Sequence, residues 1–151
     1  MKFTASKINQ FVMLKLPSAW LCGVRVKAID NTECEVGVTH RWINQNPFRS
    51  MYFAVQAMAA ELSTGALVMS KIQQEGKQIS MLVAQNKSVF KKKATGKIRF
   101  KCYDGQKIAE AVQKTIQTGQ GQTCWMTSIG TNSDGVEVSV FEFEWTVKLK
   151  S

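Results

Sequence analysis

Residues 50–65, SMYFAVQAMAAELSTG, hold one carboxylate, Glu61, in a segment otherwise built from apolar and small side chains. A carboxylate in that setting suits acid–base chemistry: partial removal from water raises its pKa toward the working range of a general base, and small neighbours leave space for a ligand. On a 3.6-residue period, Met51, Val55, Met58 and Leu62 share one stripe and Glu61 falls about a quarter-turn to its side, flanked by Ala54, Ala57 and Gly65. Glycine inside a helix costs roughly 1 kcal/mol relative to alanine, so Gly65 calls for a packing or functional reason. The plainer and commoner reading of Glu61 is a solvated boundary residue. Upstream, Asn46-Pro47 marks a helix entry at which Asn46 either caps the helix or presents its amide to a ligand, with Ser50 a second candidate cap. Gln56 is a weaker polar candidate on another helical face.

Other chemistries find little footing. His40 is the only histidine and has no nucleophile near it in sequence, and no GxSxG elbow occurs. The glycines of Gly119–Gly121 lack the Lys and Ser/Thr of a phosphate-binding loop and follow a helix rather than a strand. Cys22, Cys34, Cys102 and Cys124 are widely spaced in apolar contexts and read as buried free thiols, so neither a metal nor another cofactor is expected.

The elements that must position Glu61 follow from periodicity. A first short helix has Ser6 as N-cap with Ile8, Phe11 and Val12 inward. Two alternating runs around Asp30-Asn31 form a hairpin that puts Cys34, Val36, Val38 and His40 on one face. The helix of Glu61 runs to about Lys71, a strand covers ISMLVAQNKSVF, and a second strand covers Lys97–Tyr103. A helix then opens at Asp104 with Ile108, Val112 and Ile116 at helical spacing, and a closing hairpin turns at TNSDG. So many hairpins argue against parallel alternation. The order predicts an α+β domain over 1–151, with one curved antiparallel sheet wrapped around the long central helix.

The net charge of +9 admits a polyanionic or phosphate-bearing partner. KKKATGKIRFK holds six basic residues, and Lys97, Arg99 and Lys101 alternate with Ile98, Phe100 and Cys102, a strand with one basic and one apolar face. Nucleic acid is not the favoured partner, because Phe100 falls on the apolar side and no exposed aromatic platform interleaves the charges. No run of about 18 apolar residues occurs, and Lys15 and Pro17 interrupt FVMLKLPSAWLCGV, so no membrane partner and a soluble cytoplasmic protein are expected.

The segment NPFRSMYFAVQAMAAELSTG resembles the central-helix segment of hotdog-fold acyl-CoA thioesterases, particularly the phenylacetyl-CoA thioesterase-like branch. Asn46 and Glu61 match the Asn at the helix entry and the acidic residue farther along the helix, and the element order matches over most of the chain. The resemblance implies a hotdog fold, a homodimer or dimer of dimers with sites at the shared interface, and acyl-CoA or a related thioester as substrate. It implies Glu61 as general base or nucleophile and Asn46 as the residue that positions water or substrate. The oxyanion contact would come from backbone N–H groups at the helix entry, here Phe53 and Ala54. Where such enzymes commonly carry His followed by glycines, this chain has Tyr52, Phe53 and Ala54. Tyr52, Phe53, Ala54, Gln56 and Gly65 are the expected substrate-binding positions, and Arg49 and Lys91–Lys93 are candidates to meet phosphates. The alternative is a non-catalytic acyl- or CoA-binding hotdog protein, which the bulk of Tyr52 and Phe53 favours.

Overall fold

A helix with apolar residues around most of its circumference has to be covered on most sides, and the architecture does this. The computed structural model describes residues 3–151. The elements are α1 (Ala5–Lys15), α2 (Pro17–Leu21), β1 (Arg25–Ile29), β2 (Cys34–Thr39), α3 (Phe53–Glu75), β3 (Ile79–Phe90), β4 (Lys97–Cys102), α4 (Gly105–Thr118), β5 (Gln122–Thr131) and β6 (Glu137–Leu149), with a one-turn 3-10 helix at Trp42–Asn44. One six-stranded antiparallel sheet, in the order β1-β2-β4-β5-β6-β3, packs against α3.

The alternation in β4 is as expected: Ile98, Phe100 and Cys102 point into the core, while Lys97, Arg99 and Lys101 face outward. Phe100, Phe141, Met126 and Leu67 are among the largest fully buried side chains, each contributing roughly 1.5–3 kcal/mol on leaving water. Although α3 is long and apolar enough to cross a membrane, most of it is buried inside this sheet. It ends at Gly76, whose φ of 64° supplies the left-handed turn into β3.

The structure adjusts several expectations. Helix α3 starts at Phe53 with Tyr52 in the capping position, so neither Asn46 nor Ser50 caps it, and it continues past Lys71 to Glu75. Met51 precedes the helix in a bridge to Gln45, and Met58 is only half-buried; the buried face runs instead through Val55, Ala59, Leu62 and Ala66. In α1 the cap is Thr4, whose hydroxyl accepts from the Lys7 N–H, and Phe11 is exposed because Ile8 and Val12 already fill the inward face. His40 lies just beyond β2.

The two sheet edges are treated differently. Along β1, the Asn9 side chain accepts from Val26 N–H at 2.8 Å and donates to Val26 C=O at 3.0 Å, so α1 occupies that edge. β3 pairs only with β6 and is exposed through most of its length.

Candidate functional site

Asn46 closes a tight loop. Its Oδ1 accepts from the N–H groups of Phe48 (2.9 Å) and Ser50 (3.2 Å), its Nδ2 donates to Ser50 Oγ (3.0 Å), and its own N–H donates to Ser50 C=O (2.8 Å). Such local bonding is what Asn does well at turns. Within this loop Arg49 takes a left-handed φ of 60°, uncommon for a residue with a side chain. The loop delivers the chain to the first turn of α3, where the N–H groups of Phe53 and Ala54 lack intrahelical acceptors and carry the positive end of the helix dipole.

Beside this helix start lies an open cavity of about 420 Å³. Asn46, Phe53 and Gln56 form one wall, and Phe90 with Lys91, Lys92 and Lys93 forms the other. Phe90 meets Phe53 edge-on at 6.3 Å between centroids and Phe141 at 5.6 Å, while Tyr52 packs edge-on against Phe53 at 5.1 Å. Lys91 pairs with Glu137, and Lys93 donates to Phe48 C=O, so Lys92 is the cation of the three with no such engagement among the described residues. Gln56 is buried: Ser139 Oγ donates to its Oε1 at 2.8 Å, and its Nε2 donates to Met51 C=O at 3.3 Å. Its polar atoms are thus occupied in tying α3 to β6 and to the entry loop.

Glu61 stands apart from this cavity, eight residues beyond Phe53, or about 12 Å along the axis at 1.5 Å per residue. It is half-buried on a flank of α3 shared with Ala54, Ala57 and Met58. Its carboxylate has no hydrogen bond or ion pair to any described residue, and burial raises its pKa above the ordinary value. Gly65 faces Trp145: a Cβ there would come within 3.1 Å of the indole ring and 3.6 Å of Glu61 Oε1. The indole is fixed by its Nε1, which donates to Thr64 Oγ1 at 2.9 Å. The absence of a side chain at residue 65 therefore serves the packing of Trp145 beside Glu61.

The structure thus brings Asn46, Phe53, Gln56 and Lys91–Lys93 around one cavity, joined by Phe90 and, through its bond to Gln56, by Ser139, neither of which stands out in the sequence. Phe90 closes a strand with no distinctive local pattern, and Ser139 carries no signal until β6 is paired. A second cavity, of about 360 Å³, lies at the far end of α3, where Gln74 Nε2 donates to Asn31 Oδ1 and Ser70 Oγ. No group of three or more His, Cys, Asp or Glu that could hold a metal occurs among the described residues.

The model of a family described as Domain of unknown function (DUF4442) matches residues 4–147. The chain belongs to this family. No curated protein matches the DUF4442 chain significantly in sequence. Solved structures do match its shape. The protein PA5026 of Pseudomonas aeruginosa, of unknown function and described as a probable thioesterase, is 17% identical with a TM-score of 0.83, over 99% of each chain. A protein of unknown function from Chlorobaculum tepidum is 16% identical with a TM-score of 0.82, over 97% of this chain and 98% of that one. The thioesterase HI1161 of Haemophilus influenzae is 13% identical with a TM-score of 0.74, over 99% and 93%. At these identities the likeness establishes the fold, which is the hotdog fold.

Proposed function

We propose that this DUF4442 protein is a thioesterase that hydrolyses an acyl-CoA or related thioester, working as a cytoplasmic homodimer or dimer of dimers. The observation that carries the reading is Glu61, a partly desolvated carboxylate on the flank of a core helix with no partner among the described residues. In the reaction, Glu61 takes a proton from water as the water attacks the thioester carbonyl, and the C–S bond then breaks as that proton passes to the departing thiolate. In the nucleophilic route Glu61 attacks the carbonyl itself, the thiolate leaves and picks up a proton from water, and water hydrolyses the resulting anhydride to free acid and carboxylate. The Phe53 and Ala54 N–H groups hold the developing oxyanion. Asn46 shapes the entry loop and offers its remaining amide capacity to water or substrate. Tyr52, Phe53, Ala54, Gln56 and Gly65 line or support the acyl site, and Lys92 is the best placed of the lysines for a CoA phosphate.

Within one chain Glu61 and the Phe53 cavity are separate, which is the arrangement expected if two subunits complete each site. The unpaired edge of β3 and the half-exposed flank of α3 supply a surface for that contact. Structural relatives described as thioesterases support the reaction class.

One observation favours the alternative, an acyl- or CoA-binding protein without catalysis: Tyr52 and Phe53 pack edge-on at the helix start, where the resembled enzymes carry His and glycines. A panel of short, long and aromatic acyl-CoA esters with free-thiol detection separates the two. Thiol release supports hydrolysis, and saturable binding without release supports the alternative. Sedimentation should show a dimer or tetramer; a 16.9 kDa monomer at micromolar concentration would contradict the shared site.

A further inference from the structure

Helices α1 and α2 present to solvent a face that water does not favour. Leu14 is 71% exposed and Leu21 63%, with Phe11 and Met13 also exposed on α1. Ile8 and Val12 are fully buried on the inward side of α1, so these exposed apolar side chains lie on its outer side, interspersed with exposed Lys7, Gln10 and Lys15. Trp42, 83% exposed, and Ile43 join this face from the 3-10 turn. The join is made by Asn44, whose Nδ2 donates to Cys22 C=O at 3.0 Å, next to Leu21. Apolar patches of this extent on a folded surface mark an interaction site.

Charge identifies what the face would meet. No Asp or Glu occurs in residues 1–29 or 36–60, the two segments that build it. Arg41 lies directly against Gly23, and burial together with the neighbouring Arg41 charge lowers the Arg25 pKa, so the two guanidiniums sit close with no carboxylate between them. Arg25 is held over the Trp20 ring, 3.3 Å from its centroid. Gly23 also borders a shallow cleft on the outer sheet face with Lys27, Lys97 and Arg99. There Glu35 is the acid, and it already pairs with both Arg99 and Lys101. The apolar knob and the basic sheet face are thus continuous through Gly23 and Arg41.

We propose that this face docks the protein onto an anionic lipid bilayer, with Leu14, Leu21, Trp42 and Ile43 entering the headgroup–acyl boundary and the surrounding Arg and Lys residues meeting lipid phosphates. A second copy of the chain fits less well, because in a two-fold contact through this face both surfaces bring positive charge and the segments that build them hold no carboxylate to answer it. Nucleic acid supplies the phosphates but offers no apolar phase for exposed leucines. A bilayer surface supplies both, and Trp is the side chain that best occupies its interface. That α3, the one helix long and apolar enough to span a bilayer among the described residues, is mostly buried in the core does not bear on this, since surface docking needs no span. The inference is independent of whether Glu61 is catalytic.

The test is co-sedimentation of the full chain with phosphatidylcholine vesicles and with vesicles containing about 30% phosphatidylglycerol, at low salt and at about 0.5 M salt. Binding is expected to the anionic vesicles and to fall at least tenfold at high salt, where basic segments lose their attraction. The double variant Leu21→Ser/Trp42→Ser should lower partitioning about tenfold or more, while Val136→Ser, at an exposed turn elsewhere, should leave it unchanged. Brominated lipids should quench wild-type tryptophan fluorescence more than that of Trp42→Phe, a readout that does not depend on the double variant folding. Failure to bind anionic vesicles, equal quenching of wild type and Trp42→Phe, a smaller oligomer in the double variant, or tighter binding to an oligonucleotide than to anionic lipid would each overturn the proposal.

Discussion

Replacing Gln56 by Ala tests whether this side chain is a structural brace for the cavity. The substitution removes the acceptor of Ser139 Oγ at 2.8 Å and a longer donor to Met51 C=O at 3.3 Å, both between buried residues. Each lost bond costs about 1 kcal/mol, and leaving the fully buried Ser139 hydroxyl without an acceptor adds about 1–3 kcal/mol. Met51 C=O is partly compensated by Asn46 Nδ2 at 3.4 Å, so that bond contributes the smaller share. The expected destabilisation is about 3 kcal/mol, or roughly 6–12 °C in Tm for a chain of this size. A double-mutant cycle by urea unfolding with Ser139→Ala should return a coupling of about 1–2 kcal/mol, because removing both partners leaves nothing unsatisfied. If Gln56→Ala costs less than about 0.5 kcal/mol, or the cycle is additive, the brace is refuted and the amide is free to serve substrate.

Gly65→Ala gains about 1 kcal/mol of helix propensity but sets a methyl 3.1 Å from an indole that its bond to Thr64 holds in place; overpacking of about 1–3 kcal/mol should prevail, and calorimetry should show a net fall in Tm. Burial pushes the Cys34 and Cys102 thiols up to about 12 and raises that of Cys124, so a thiol reagent at pH 8 should label half-buried Cys22 first, with all four cysteines reacting only in denaturant. For Glu61, a folded pKa raised above the ordinary 4.5 means the native state binds more protons than the unfolded chain, so this residue's contribution falls as pH rises from about 4.5 to the folded pKa and is level above it. Glu61→Gln should therefore unfold at higher denaturant than wild type at pH 7 and at nearly the same denaturant at pH 4; the opposite order would show that the carboxylate is stabilised by contacts in the assembly.

Periodicity identified nearly every element, because α4, β4 and the closing hairpin each bury one regularly spaced face. It mislaid the start of α3, because an Asn-Pro pair and a serine are cap signals by type, whereas here the Asn46 loop uses those groups before the helix begins. Helix α2 escaped notice because its five residues bury only Ala19. The sheet order was not legible: that β3 leaves for the far edge beside β6 while β4 joins β2 depends on pairings between residues distant in sequence. The same holds for the candidate site. Glu61 stands out by type among small residues, whereas the meeting of Asn46, Phe53 and Gln56 with Phe90 and Lys91–Lys93 exists only after the strand following α3 folds back.

The measurement that bears most directly on the proposed function is the steady-state rate of thiol release by Glu61→Gln and wild type, on whichever acyl-CoA the wild type turns over fastest. Loss of a general base predicts a fall in kcat of about a hundredfold or more with the fold and assembly state unchanged. Full activity in Glu61→Gln, or a wild type that releases no thiol from any ester in the panel, would contradict the account.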